Sequence, residues 1–200
     1  MSVIKISEMT PATLPLSGSE LLEVSQFSGG VYNTTHASSA SLAFAGSKYG
    51  SFYDVTDQTG SVSAATAVKF GTNDISTKGV TVVTNGSALT RVTYAAAGTY
   101  MISPSLQFAN SDAADHDVTV WLAKNGTAIP ASATQITVPK AGDGGSAFFA
   151  SVFYVTVTAG QYIEVMWLPE NVTVTIDHTA AGAIAPAIPS AIVVTERIDL

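Results

Sequence analysis

GTYMISPSLQF, residues 98–108, is the stretch from which the fold of this chain is best predicted. Tyr100, Ile102, Leu106 and Phe108 are apolar and lie at even-numbered positions, which places them on one face of an extended strand. This period of two is typical of a long strand with one face in a core. Pro104 has no amide hydrogen to donate, so its presence predicts an edge strand or a bulge.

The same alternation recurs along the chain from about residue 60. DVTVWLAKNG ends in Asn125-Gly126, which is a strong hairpin signal. VTVTID places Val172, Val174 and Ile176 on one face, and SAIVVTERI forms the last predicted strand. Roughly nine or ten short strands predict an all-β, two-sheet antiparallel sandwich. Alternation alone does not distinguish a jelly roll from an immunoglobulin-like sandwich.

Two predicted strands, FFASVFYVTV and YIEVMWL, are apolar on both faces. One face of each would pack on the opposite sheet, and the other needs a loop, a second domain or a neighbouring subunit to cover it. We therefore predict a subunit interface, with aromatic and Met side chains near its centre. The candidate interface residues are Phe149, Phe153, Tyr154, Tyr162 and Met166.

The composition favours a protein that associates with copies of itself. Only 12% of the 200 residues are charged, against roughly a quarter in typical soluble domains. A monomer with a surface rich in Ser and Thr is the alternative. The net charge of −7 disfavours nucleic-acid binding, and the apolar runs are too short or too interrupted by proline for membrane insertion. There is no Cys, and no sequence pattern indicates a metal or other cofactor.

The first 50 residues differ from the rest, and we predict an N-terminal arm over residues 1–50 and a β-sandwich domain over residues 51–200. SGSELLEV has Ser17 and Glu20 at the spacing of a helix capping box, although a strand fits equally well. HASSASLAFAG is a candidate for one short helical turn.

Candidate chemistry is sparse. The loop NSDAADHDV gathers Asp112, Asp115, His116 and Asp117, which could bind an ion, but it lacks the ordered spacing of a calcium loop and also fits a solvated hairpin loop. Trp121 is out of phase with Val120 and Leu122, and is either a subunit contact or an exposed platform for a ligand. No catalytic residue is assigned. Polysaccharide hydrolysis would need a pair of carboxylates, for which the candidates are Glu164, Glu170 and Asp177.

From about residue 60 to residue 200, the order of these elements resembles the tumour-necrosis-factor and C1q-like jelly roll of many phage fibres and capsid knobs. The matching positions are Gly98 with Tyr100, Asn125 with Gly126, and Gly160 with Ile163 and Val165. The resemblance favours the jelly roll. It also implies a homotrimer with apolar strands along the three-fold axis.

The opening segment is similar to an N-terminal motif that recurs in phage virion proteins. Residues Ile6, Ser7, Glu8, Pro11, Ala12, Leu16, Gly18, Glu20, Leu21, Val24 and Gln26 fit that motif, while Met9 and Thr10 stand where Leu-Pro is usual. The motif implies attachment through extended backbone. The candidate contact residues are Ile6, Pro11, Leu14, Leu16, Leu21, Leu22 and Val24. A terminal strand folded onto its own sandwich is the alternative.

Together these features lead to the expectation of a non-enzymatic phage virion protein, assembled in the host cytoplasm. We expect a homotrimeric knob that decorates or cements the capsid and binds the major capsid protein or another virion protein through its arm. The alternative is a tail or head fibre module that binds a host surface glycan. An enzyme acting on polysaccharide ranks third.

Overall fold

The computed structural model describes residues 21–28, 31–38 and 48–199. The chain divides into two compact units, residues 1–46 and residues 47–200. In the first unit, strands β1 (Leu21–Ser28) and β2 (Val31–Ser38) form an antiparallel hairpin that runs from the pair Leu21 and Ser38 to the pair Ser28 and Val31. LLEV is thus a strand rather than a helix.

The second unit consists of strands and one short 3-10 helix, Ala141–Asp143, in its described part. The strands before the long central one are β3 (Tyr49–Asp54), β4 (Gln58–Thr59), β5 (Thr66–Ala67), β6 (Thr72–Asn73), β7 (Val80–Asn85) and β8 (Ala88–Tyr94). The remainder are β9 (Gly98–Asn110), β10 (His116–Lys124), β11 (Thr127–Ala128), β12 (Thr134–Val138), β13 (Ser146–Ala150), β14 (Phe153–Val157), β15 (Tyr162–Pro169), β16 (Val174–Ile176) and β17 (Ala191–Arg197). No helix among the described residues has the length and hydrophobicity of a membrane span.

The order of the strands identifies a jelly roll. The eight-stranded sheet contains the neighbours β3, β17 and β9, with β13 and β14 on the far side of β9. The seven-stranded sheet contains the neighbours β8, β15, β10 and β12. The chain crosses repeatedly from one sheet to the other, as it does from β8 to β9 to β10 and from β14 to β15 to β16, and the last strand lies between the first strand of the unit and the long β9. This is the jelly-roll arrangement of an antiparallel sandwich, so the predicted fold class is confirmed.

The inner faces of the two sheets form the core that the alternation predicted. Tyr100, Ile102, Leu106 and Phe108 of β9 are all buried. Trp167 of β15 is fully buried, with its ring centroid 5.9 Å from that of Phe108 in the facing sheet. Aromatic contacts of this kind bury large apolar areas, which is the main favourable term in the stability of a sandwich.

Gly98 of the G-x-Y motif lies against two side chains at and just after the end of β17. A Cβ atom at Gly98 would lie 2.4 Å from Nε of Arg197 and 2.7 Å from a carboxylate oxygen of Asp199. These two side chains form an ion pair at 2.9 Å beside the start of β9. Two positions later the ring of Tyr100 packs 4.3 Å from that of Tyr94, whose hydroxyl is 3.2 Å from the hydroxyl of Thr195. Burial raises the pKa of Tyr94 well above its usual value.

The Asn125-Gly126 hairpin is confirmed. Lys124 pairs with Thr127, which leaves Asn125 and Gly126 as a two-residue loop with φ values of 50° and 81°. Positive φ at both positions is the type I′ geometry that suits the twist of a hairpin.

The position of Pro104 differs from the prediction. β9 is a central strand, with β17 and β16 on one side and β13 and β14 on the other. Ser151 donates its backbone N–H to the carbonyl of Pro104 at 3.3 Å, so the side of Pro104 without an amide hydrogen faces β13 and β14. The ladder is interrupted there, between Ala150 and Phe153. FFASVFYVTV is therefore two strands rather than one.

The strand predicted over VTVTID is also shorter than expected. β16 contains only Val174–Ile176. Its apolar residues Val174 and Ile176 are buried, whereas Val172 is 60% exposed. Asn171 accounts for the difference, because its side-chain oxygen accepts the backbone N–H of Thr173 at 3.1 Å and its carbonyl accepts that of Val174 at 3.1 Å. These bonds form a turn, which is incompatible with an extended strand at Val172.

We expect the Leu106→Ala substitution to lower the free energy of unfolding by about 2 to 5 kcal/mol, because it leaves a cavity between the sheets. Ser105→Ala on the other face of the same strand is the matched control, with an expected change within about 0.5 kcal/mol. Urea unfolding followed by tryptophan fluorescence measures both. Similar losses in the two variants would contradict the assignment of inner and outer faces.

Candidate interaction surfaces

The outer face of the eight-stranded sheet carries several apolar side chains among the polar residues Ser51, Ser103, Ser105 and Gln107. Met101 of β9 pairs with Tyr154 of β14, and Ile192 of β17 pairs with Tyr53 of β3. Phe148, Tyr154 and Val194 are 58%, 65% and 40% exposed. We call this surface the apolar face and define it by Tyr53, Met101, Phe148, Tyr154, Ile192 and Val194. Single exposed apolar residues are ordinary, but a contiguous group marks an interaction site.

The outer face of the seven-stranded sheet has a different character. Arg91 of β8 and Glu164 of β15 approach to 3.7 Å, and Asp117 of β10 lies on the same side of the sheet. Glu164 is buried, with Oε1 accepting hydrogen bonds from the hydroxyl of Thr90 at 2.8 Å and from the side-chain amide of Asn85 at 3.2 Å. These bonds offset the cost of burying a carboxylate.

The five predicted interface residues do not share one surface. Tyr154 lies on the apolar face. Phe149 is only 4% exposed and belongs to the core, and Phe153 packs against the core. Tyr162 and Met166 lie on the outer face of the other sheet, where the guanidinium carbon of Arg91 stands 4.4 Å from the ring centroid of Tyr162. Phe149 and Phe153 pair with the inward-facing Leu106 and Ile102, which explains why they lie inside.

Of the predicted attachment residues, Leu21, Leu22 and Val24 lie on β1, within the hairpin of the first unit. Ile6, Pro11, Leu14 and Leu16 lie outside the described residues, as does most of the candidate helical turn near Leu42.

The acidic loop is held together by its own hydrogen bonds. Nε2 of His116 is 2.7 Å from a carboxylate oxygen of Asp112, and Nδ1 of His116 is 3.8 Å from Oε2 of Glu170. Asp115 accepts the backbone N–H of Lys140 at 2.8 Å. The hydrogen bond from His116, followed by that from the backbone amide of Ala113, lowers the pKa of Asp112. Within the described residues, no three His, Asp or Glu side chains are grouped closely enough to hold a metal ion.

A second His-Asp pair joins two loops. Nδ1 of His178 is 2.7 Å from a carboxylate oxygen of Asp57, which also accepts the backbone N–H of His178 at 3.0 Å. These bonds, the backbone one first, lower the pKa of Asp57. The neighbouring Asp177 is affected in the opposite direction, because burial and then the charge of Asp57 raise its pKa.

Trp121 and the acidic loop do not form one platform. Trp121 is partly exposed on the outer face of β10, opposite Met166 of β15. His116 lies five positions earlier on the strand, on the other face, and is about 16 Å away along the strand. Asp112 and Asp115 precede it in the loop.

The three carboxylates considered for polysaccharide hydrolysis are also separated. Glu164 and Glu170 are six positions apart along and beyond β15, about 20 Å for extended chain, which exceeds the spacing of about 5 to 9.5 Å that glycoside hydrolysis requires. Asp177 donates its backbone N–H to Gln107 of β9, in the other sheet.

No protein-family model matches the chain, and no curated protein matches it. Among solved structures, the crystal structure of murine APRIL at pH 8.5 is similar, with 11% sequence identity and a TM-score of 0.46, over 76% of this chain and 99% of that chain. The crystal structure of murine APRIL at pH 5.0 gives 10% identity and a TM-score of 0.47 over the same shares. The jelly-roll assignment is made from the strand order of this chain.

The two shifted aspartates predict opposite pH dependences. The pKa of Asp112 is lower in the folded chain, so its contribution to stability is present above the ordinary carboxyl pKa of about 4 and is lost as the pH falls through the folded value. We expect Asp112→Asn to be less stable than wild type near neutral pH, with a difference that vanishes in acid.

For Asp177, whose pKa is raised, the folded chain favours the neutral carboxyl. Asp177→Asn should then be the more stable variant at neutral pH, and its advantage should vanish as the wild-type carboxyl becomes protonated in acid. Urea unfolding between about pH 7 and about pH 2 measures both differences. A deficit of Asp112→Asn that grows in acid would contradict the sign for Asp112.

Proposed function

We propose that this protein is a non-enzymatic structural protein of a phage virion, a homotrimeric knob that decorates or cements the capsid. The apolar face is the observation on which the proposal depends. In an isolated chain it would leave Phe148 and Tyr154 more than half exposed, and burial of such area stabilises an interface by roughly 25 cal/mol per Å².

The number of copies and the setting are supported by the sequence. The resemblance to the tumour-necrosis-factor and C1q-like jelly roll implies three copies, and the low content of charged residues favours extensive contact between chains. The similarity of the opening segment to a phage virion motif supports a role for residues 1–50 in attachment. The major capsid protein or another virion protein is the proposed partner.

The proposed mechanism of attachment is avidity. Each arm contributes a modest interface, but once one arm of a trimer is bound the other two bind at high effective concentration. A weak extended-chain contact is then sufficient for stable decoration. No covalent link and no catalytic group is needed.

We expect Val194→Lys to dissociate the trimer, because it places three ammonium groups in an apolar interface. The desolvation cost of several kcal/mol per charge corresponds to a rise in the dissociation constant of at least about a hundredfold. Sedimentation equilibrium should give three times the chain mass of 20.5 kDa for wild type and a single mass for the variant.

Thr93→Lys is the matched control, because Thr93 is a half-buried strand position on the outer face of the other sheet. It should remain trimeric. If Thr93→Lys dissociates and Val194→Lys does not, the interface is on the seven-stranded sheet. A wild-type chain that is monomeric at all concentrations would contradict the trimer.

Deletion of residues 11–26 should leave a folded trimer that no longer binds phage particles. Co-sedimentation with particles that lack the protein measures binding, and sedimentation equilibrium of the deleted chain checks its trimeric state. Retained binding to particles would show that the opening segment is not the attachment site.

A further inference from the structure

The outer face of the seven-stranded sheet contains an open groove of about 390 Å³ between the ends of β10 and β15. This volume is within the range of small-molecule sites. Its lining has two parts, an apolar part from Val62, Leu168 and Pro169 and a polar part from Asp117, Thr119, Gln135 and Glu170.

The polar groups of the groove are fixed before any ligand arrives. The two carboxylate oxygens of Asp117 accept hydrogen bonds from the hydroxyl of Thr137 at 2.6 Å and from the side-chain amide of Gln135 at 3.0 Å. Oε2 of Glu170 accepts the backbone N–H of Asp117 at 2.9 Å. Each carboxylate oxygen has a second lone pair, so acceptors remain available at known positions. Preorganised groups lose little conformational entropy on binding.

Trp121 extends the same surface. It follows Thr119 by two positions on β10, so both side chains lie on one face about 7 Å apart. Leu168 is directly opposite Thr119 across the ladder, and Met166 is opposite Trp121. The indole ring therefore lies beyond the Thr119 end of the groove, about 13 Å from Asp117 along the strand. The negative face of an indole ring packs well against polarised C–H groups.

We propose that this groove binds a neutral glycan unit. A sugar ring presents hydroxyl donors along its edges and C–H groups on its faces, and the groove offers carboxylate acceptors at one end and an indole at the other. Asp117, Gln135 and Glu170 bind the hydroxyls of one sugar ring, and Trp121 packs on the next ring of the glycan. Sialylated, sulfated or phosphorylated sugars are disfavoured, since two carboxylates of the groove repel an anion.

The site does not depend on the proposed trimer. It lies on the seven-stranded sheet, whereas the apolar face lies on the other sheet of the sandwich, so association through the apolar face leaves the groove open. A trimer would present three such grooves, which raises the avidity for a surface that carries many glycans.

The test is an amide NMR titration of the full-length protein with the methyl glycosides of glucose, galactose, mannose and N-acetylglucosamine, and with lactose. At least one of these should bind with a dissociation constant of about 1 mM or below. Shifts should be centred on Asp117, Thr119 and Gln135 and on the indole N–H of Trp121.

Gln135→Ala and Trp121→Ala should each weaken binding at least about tenfold, because each removes one of the groups that contact the sugar. If the alanine variant does not fold, Trp121→Leu replaces it, because leucine keeps an apolar side chain on the strand but has no aromatic ring. Ser103→Ala, on the outer face of the eight-stranded sheet, is the control and should bind as wild type does.

Three results would overturn the proposal. One is the absence of shifts with every neutral sugar. Another is equal or tighter binding of sialyllactose, or saturation of the same residues by the polyamine spermine instead of a sugar. The last is binding that persists unchanged in both the Gln135 and the Trp121 variants.

Discussion

The hydrogen-bond ladder on both sides of β9 is the constraint on which the rest of the sandwich depends. This strand of 13 residues pairs with β17 and β16 along one edge and with β13 and β14 along the other. Its inward residues carry the core that the second sheet covers, and its outward residue Met101 belongs to the apolar face. Because both edges are used, four other strands take their register from β9.

The period of two along these strands also separates the surfaces of the molecule. On the eight-stranded sheet the outward positions carry Met101, Tyr154 and Val194, which suit association with another copy. On the seven-stranded sheet they include Arg91, Glu164 and Asp117, whose charges are paired within the chain or solvated. Two sheets with one shared core therefore present two surfaces of different chemistry, one proposed for self-association and one with the groove proposed to bind a glycan.

Much of the fold could be predicted from sequence because strand alternation and hairpin turns are local signals. Tyr100, Leu106 and Phe108 are buried as predicted, and Asn125-Gly126 forms the expected turn. Long-range pairing is not a local signal. Pro104 is in a central strand because its neighbour is interrupted, and a single sequence does not contain that information. Long-range pairing also places Phe149 and Tyr162 apart. Their strands, β13 and β15, belong to different sheets, and the local alternation does not show to which sheet a strand belongs. The groove escaped prediction because Asp117, Gln135 and Glu170 are distant in sequence.

Pro104 also specifies a single alignment of its neighbours. A slip by one residue turns every side chain to the opposite face, whereas a slip by two keeps each side chain on its own face and is therefore opposed less strongly by the alternation. Here the two residues between Ala150 and Phe153 are not part of the hydrogen-bond ladder with β9, and they lie opposite Pro104 and its neighbour Ser103. Any slip would place a carbonyl that needs a donor against a residue that has none. The missing amide therefore acts against misfolding, because it leaves β13 and β14 one low-energy register on β9.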